Sequence, residues 1–430
     1  MKSKLGFCVA GMLAALWVSG CATEIDPSAS EEGAFKGEEL LDHSFGKNGV
    51  LTLEMEEAIA QGRDRIRDDI GIFRQPSGET YLTAGGLWKF DAKGKIDRSF
   101  GTDGQLLVET SRSIVGVISQ TDGKIVVLFN SVRPIGDDSI LLRRFDSKGK
   151  PDSSFGTFGK VTLLEPNEEG VSVSEAVSLV ALPGERFLVN YSVTKNNTVP
   201  SYARVFKKDG SLDASIGKSG GIDYAPSQLI VDAKGRWLAT NNMFSPSVYR
   251  FLPSGQLDSS FGTGGIASIP KFASALAVDE GGRVVIADTS SGPFGAVTVR
   301  RLTEQGKPDA TFGTGGTTTF KHEIAKRNFP MVVDRTGRIW ISYDFEIKYT
   351  KDFDWNFDGV SKIRRVANVA IVRLDSKGML DRSFDGDGIS TLDIAQDESV
   401  LELGLDKIGQ VMMSGTVNKL GTFTAKLNLK

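Results

Sequence analysis

The chain has 430 residues, 40% hydrophobic and 24% charged, which is the balance of an ordinary water-soluble folded protein. Its net charge is −3, or −5 once residues 1–20 are set aside, because those hold Lys2 and Lys4 and no acid. So mild a charge excludes a polyanion- or polycation-binding surface, and no basic stripe points to nucleic acid. The 49 glycines predict many tight turns. A chain this long suggests two or three domains, unless repeats share one closed ring.

Residues 1–20 read as an export signal: Lys2 and Lys4 open it, and the apolar run Leu5 to Val18 is too short to span a bilayer. The run ends in Val18-Ser19-Gly20-Cys21, which resembles a bacterial lipobox. The resemblance implies a diacylglyceryl group on the Cys21 thiol, cleavage before it, and a membrane partner reached through that lipid. More than one acyl chain on one residue gives stable anchoring. The bland alternative is a plain cleaved signal with a chance cysteine. Ala22, where an inner-membrane retention signal would place Asp, implies the outer membrane. The only other cysteine, Cys8, lies inside the signal, so no disulfide or cysteine metal site is expected. Residues 21–39 are rich in Glu, Ser and Gly and read as a lipidated flexible tether.

From residue 40 onward a motif recurs seven times. It begins as Leu41-Asp42-His43-Ser44-Phe45-Gly46, Ile96-Asp97-Arg98-Ser99-Phe100-Gly101 and Pro151-Asp152-Ser153-Ser154-Phe155-Gly156. The remaining copies centre on Asp213, Asp258, Asp309 and Asp381. The fourth copy carries Ile216 in place of Phe, and the seventh carries Asp385 in place of Gly. Each interval also holds a polar turn followed by a β-type run, as in Gly123-Lys124-Ile125-Val126-Val127 and Gly337-Arg338-Ile339-Trp340-Ile341. A second run ends in a basic residue before an apolar one: Lys89-Phe90, Arg144-Phe145, Arg250-Phe251, Arg301-Leu302, Arg373-Leu374 and Lys426-Leu427. The third copy is looser, with Arg204-Val205-Phe206.

Each repeat therefore predicts about four short strands, and no sustained helical period is present. A small four-stranded sheet cannot bury both faces alone. Radial packing of several such sheets solves this and protects their edges. The expectation is an all-β fold, a seven-bladed β-propeller of four-stranded antiparallel blades over residues 40–430. A β-solenoid would need far shorter coils. If the strand after each motif belongs to the preceding blade, Val50-Leu51-Thr52-Leu53 completes the last blade and locks the ring. The motifs and spacings resemble the delta-60 bacterial β-propeller repeat over about residues 40–428. That resemblance implies the fold and an envelope location, and it lends no catalytic residue.

The seven aspartates have two readings: a ring of carboxylates at one mouth, or caps for their own turns paired with the basic residue of the neighbouring strand. The second is favoured, because a residue present in every blade serves the blade. Histidine occurs only at His43 and His322, which argues against a histidine-ligated metal and most Ser-His-acid hydrolases. The main break in symmetry is Asp352-Phe353-Asp354-Trp355-Asn356-Phe357-Asp358-Gly359 in the longest repeat. Asp352, Asp354, Asn356 and Asp358 could offer oxygens to calcium. An EF-hand would need Glu where Arg365 stands, so the likeness fails there. A solvated hairpin tip and an aromatic contact surface remain open.

Two function classes follow. One is a membrane-anchored, non-catalytic envelope scaffold binding a protein or carbohydrate. The other is a propeller-type hydrolase, lactonase or lyase using carboxylates and a divalent metal in the central channel.

Overall fold

The computed structural model describes residues 41–427 except 46–49, 55–70, 76, 84–85, 109–111, 132–139, 164–170, 196–200, 218–219, 223–225, 242–244, 290–295, 322–328, 349–364, 393–398, 407 and 418–420. Its 28 strands form seven antiparallel four-stranded sheets. Blade 1 holds β2 (Ile72–Arg74), β3 (Thr80–Thr83), β4 (Leu87–Phe90) and β5 (Gln105–Leu106). Blade 2 holds β6 (Arg112–Ser119), β7 (Ile125–Ser131), β8 (Leu141–Phe145) and β9 (Lys160–Thr162). Blade 3 holds β10 (Val171–Leu182), β11 (Arg186–Lys195), β12 (Ser201–Phe206) and β13 (Gly221–Ile222). Blade 4 holds β14 (Gln228–Val231), β15 (Trp237–Asn241), β16 (Ser247–Phe251) and β17 (Ile266–Ser268). Blade 5 holds β18 (Ala275–Val278), β19 (Val284–Thr289), β20 (Ala296–Leu302) and β21 (Thr317–Lys321). Blade 6 holds β22 (Met331–Val333), β23 (Ile339–Lys348), β24 (Arg365–Leu374) and β25 (Ile389–Leu392). Blade 7 holds β26 (Ser399–Leu405), β27 (Val411–Val417), β28 (Gly421–Lys426) and, from the other end of the chain, β1 (Val50–Glu54).

The first strand of each blade meets the first strands of both neighbours, in cyclic order from blade 1 round to blade 7 and back. These seven inner strands ring a central channel, giving a seven-bladed β-propeller. Closure is by β1, paired antiparallel with β28 from Val50↔Ala425 to Glu54↔Gly421. The two ends of the domain thus share one sheet, and the outer edge of blade 7 is paired like the other six.

The second strand of each blade is the most apolar because both its faces are covered. In β7, Val127 packs toward blade 1 with Phe100, while Val126 and Leu128 pack toward blade 3 with Phe155 and Phe187. Burying each such side chain contributes about 1.5–3 kcal/mol.

Antiparallel order sends successive connections to alternate ends of a blade. The turns joining first to second strands lie at one end with the motif turns that join third to fourth. First-to-second turns have five residues in six of the seven blades and three in blade 3. The hairpins joining second to third strands lie at the opposite end, and they run from three residues in blades 1 and 7 to sixteen in blade 6.

Candidate functional site

The repeated aspartates occupy the uniform end, and each is held by its own blade. In all seven copies Oδ1 accepts from the hydroxyl of the Ser or Thr two residues on, at 2.5 to 2.7 Å. The backbone N–H of that same residue donates to it as well. The other oxygen meets the basic residue that ends the third strand. The pairs are Asp152–Arg144 and Asp258–Arg250 at 2.8 Å, and Asp309–Arg301 and Asp381–Arg373 at 2.7 Å. Lysine does the same for Asp97 through Lys89 at 3.1 Å and for Asp42 through Lys426 at 3.3 Å. In blade 3 Val205 takes the basic position, and Arg186 of β11 reaches Asp213 of the fourth motif copy at 3.5 Å instead.

All seven carboxyls titrate below the usual aspartate range. At Asp97, Asp258, Asp309 and Asp381 burial acts most strongly and pushes upward, but the serine or threonine bonds and the basic partner outweigh it. At Asp42 and Asp213 the serine hydroxyl leads, and at Asp152 the Lys124 ammonium does. With Oδ1 taking two donors and the other oxygen facing a cation, a turn cap with an ion pair is what the arrangement supplies. The aspartates are scaffold.

The same arginines join the blades. Arg144 Nη1 donates to Lys208 O at 2.7 Å, and Arg301 Nη1 to Ser376 O at 2.6 Å, each on the following blade. The motif phenylalanine lies beneath: the guanidinium stands 4.6 to 5.0 Å from the ring centre in Arg250–Phe261, Arg301–Phe312, Arg373–Phe384 and Arg144–Phe155. Beside three of these rings the motif glycine N–H donates across to the next blade: Gly156 to Asp209 O and Gly262 to Gln305 O at 2.8 Å, and Gly313 to Lys377 O at 2.7 Å.

The channel breaks the seven-fold pattern. Among the described residues, blades 3 to 7 line an open pocket of about 350 Å³ with both apolar and polar side chains on its wall. β-Bulges in β10 and β26 insert Val177 and Leu401 as extra residues. Both line the pocket, and they are 49% and 47% exposed, unusual for inner-strand aliphatics. Glu402, beside the second bulge, is the one carboxylate on the pocket wall among the described residues. Burial raises its pKa, and the charge of Arg74 on β2 offsets this only in part. Burial likewise lowers the pKa of Arg74. Arg74 turns into blade 7, where Nη2 donates to Ser414 Oγ at 2.7 Å.

The proposed calcium residues Asp352, Asp354, Asn356 and Asp358, together with Cys21 and His322, lie outside the described residues. His43 is an exposed turn residue. Among the described residues no group of three or more His, Cys, Asp or Glu side chains could hold a metal ion, and no helix is long and apolar enough to cross a membrane. Sequence reasoning did not single out Glu402, Val177, Leu401 or Arg74. The available signal was one acid in the otherwise apolar run Val400-Leu401-Glu402-Leu403.

No protein-family profile matches the chain, and no curated protein is similar to it in sequence. Solved structures with related coordinates include Raptor of Chaetomium thermophilum, at 9% identity and a TM-score of 0.45, covering 83% of this chain and 28% of that one. Another is a protein of unknown function from Dyadobacter fermentans, at 13% identity and a TM-score of 0.40, covering 74% and 96%. A glucose dehydrogenase shares 10% identity at a TM-score of 0.37, covering 88% and 99%. None of these likenesses bears on the activity of this chain.

Proposed function

We propose that this chain is a lipid-anchored cell-envelope protein of the delta-60 repeat kind, whose propeller is a non-catalytic scaffold. It holds a protein or carbohydrate partner at the end of the ring where connection lengths vary. One observation carries the reading: polar groups of the motif end are consumed in holding the blades together, while the opposite end varies from three to sixteen residues per hairpin. Function on a repeat scaffold resides in such variable connections. The blade 6 insertion, residues 349–364, joins strands at that end and carries the acidic-aromatic segment. The lipobox-like Val18-Ser19-Gly20-Cys21 supports the anchor.

The test has two arms. Cells expressing the chain are fed labelled palmitate and their extract is partitioned with detergent. Label and partition into the detergent phase are expected for the unaltered chain and lost in Cys21→Ser. Retention of both in the variant removes the anchor at this residue. The purified protein is also assayed on lactones, esters and polyuronides. Turnover that disappears in Glu402→Gln, an acid on the wall of the channel pocket, overturns the non-catalytic reading.

A further inference from the structure

We infer that the motif end of the ring is a membrane-facing surface, seated on a phospholipid bilayer with the Phe158 ring entered at the boundary of headgroups and acyl chains. This orientation rests on the anchor proposed at Cys21. It adds a second contact with the membrane, made by the folded domain, and turns the variable hairpins away from the lipid.

Phe158 is a side chain that the blade does not need. It sits in the motif turn of blade 2 with φ 53° and is 90% exposed. Asp103, Gly264 and Gly315 hold the same place in blades 1, 4 and 5, with φ between 53° and 61°. Aspartate and glycine tolerate the left-handed region, whereas a bulky residue there is strained. A ring so exposed returns almost no packing for that strain. An outlier of this kind points to a role outside the fold.

Two observations say what the ring meets. The chain that leads from Cys21 enters the propeller at this same end. Leu41 bridges Leu427 and the Asp42 N–H donates to Lys426 O, as Pro151 bridges Phe145 and the Asp152 N–H donates to Arg144 O. Leu41 therefore stands in blade 7 where Pro151 stands in blade 2. Residues 22–40, read from their composition as a coil, would span about 25 Å, which keeps this end nearer the lipid than the hairpin end. The neighbours of Phe158 also suit an interface. Lys148, Lys150 and Lys160 are exposed on the same blade, while the acids beside them are engaged. Asp146 accepts from the backbone of Lys148 and Lys150, and Asp152 pairs with Arg144. Lysines around an apolar ring are drawn to anionic headgroups while the ring enters the apolar boundary. Met379 on blade 6 and Ile408 on blade 7, 59% and 61% exposed, add apolar contact at the same end.

The full lipidated chain is reconstituted into vesicles of phosphatidylglycerol and phosphatidylcholine, the latter with or without bromine along its acyl chains. Phe158→Trp places a fluorescent reporter at the motif end. Phe272→Trp, at a half-exposed position in the link from β17 to β18, places one at the hairpin end. The unaltered chain supplies the background of the native tryptophans. Quenching by brominated lipid is expected to exceed that background in Phe158→Trp and to equal it in Phe272→Trp. Phe158→Asn should leave the melting temperature unchanged or raise it, since asparagine tolerates the same φ. A lower melting temperature would show that the ring serves the fold, and overturns the proposal. Palmitate label on Cys21 with no extra quenching in Phe158→Trp overturns the orientation and leaves the anchor standing, which is the result a ring reserved for a protein partner would give. Extra quenching in both variants, or in Phe272→Trp alone, overturns the orientation as well. Absence of the label overturns the anchor and the orientation together.

Discussion

Arg301 makes four contacts with one guanidinium. Nε meets Asp309, Nη1 reaches Ser376 O on the following blade, Nη2 donates to Thr311 Oγ1, and the plane of the group lies over Phe312. Only a planar fork offers donors in several directions while stacking on a ring, which is why lysine is a poorer occupant. Where lysine does occur it acts as a point charge between two carboxylates, Lys89 between Glu79 and Asp97, and Lys426 between Asp42 and Asp406. Arg301 and Asp309 are nearly sealed, with side chains 3% and 8% exposed. Arg301→Met therefore strands a buried carboxylate and should cost about 3–5 kcal/mol in urea unfolding. Asp309→Asn in the same chain should recover part of that loss, since the stranded charge is then gone. If the two single losses simply add in the double variant, the pair is not coupled and the clamp assigned to it is wrong.

At the scale of the blade, most of what forms each element was readable in the residues. Glycine after a polar turn, a β-branched or apolar run, and a basic residue before an apolar one mark the first turn, the second strand and the third strand, with blade 3 departing at Val205. The motif glycine marks a backbone need: Gly101, Gly156, Gly217, Gly262 and Gly313 have φ between 51° and 59°, and a Cβ on Gly313 would lie 2.2 Å from Thr317 O. The seventh copy meets the same need with a side chain, because Asp385 has φ 48°. Aspartate tolerates the left-handed region better than most residues but still pays for it. Asp385→Gly should accordingly raise stability, by up to about 1 kcal/mol after the added chain entropy of glycine is subtracted. A loss of stability in thermal or urea unfolding would instead assign the Asp385 carboxylate a holding role in that turn. The inner strands were less legible, for a physical reason. Bulges at Val177 and Leu401 shift the alternation of faces, so no period in the sequence tells which residues turn to the channel. The sequence likewise left open how the ring closes, since Val50-Leu51-Thr52-Leu53 has the same alternation whichever blade receives it. The pairing Val50↔Ala425 decides it.

For the whole molecule, that pairing makes residues 41–54 part of blade 7 and the joint between the last blade and the first. Leu41 and Phe45 are 8% and 3% exposed. Leu41 packs with Phe423 and Leu427 of blade 7, and the Phe45 ring lies against Gly94 in the turn of blade 1. Asp42 ties the segment to Lys426. Burial of the Leu41 and Phe45 side chains alone contributes about 3–6 kcal/mol, and β1 also covers the edge of β28, which would otherwise offer its unpaired backbone to another chain. Two internal deletions, each keeping Cys21, separate this closing segment from the residues before it. Removing residues 22–39 should leave the melting temperature unchanged, because the described strands all begin at Val50 or later. Removing residues 22–54 should destabilise the ring by at least the apolar term above, and sedimentation should show self-association through the freed edge of β28. If the longer deletion melts like the shorter one and stays monomeric, six complete blades and three strands hold the ring closed without β1. The first strand would then neither lock the ring nor be needed to keep the edge of β28 from pairing.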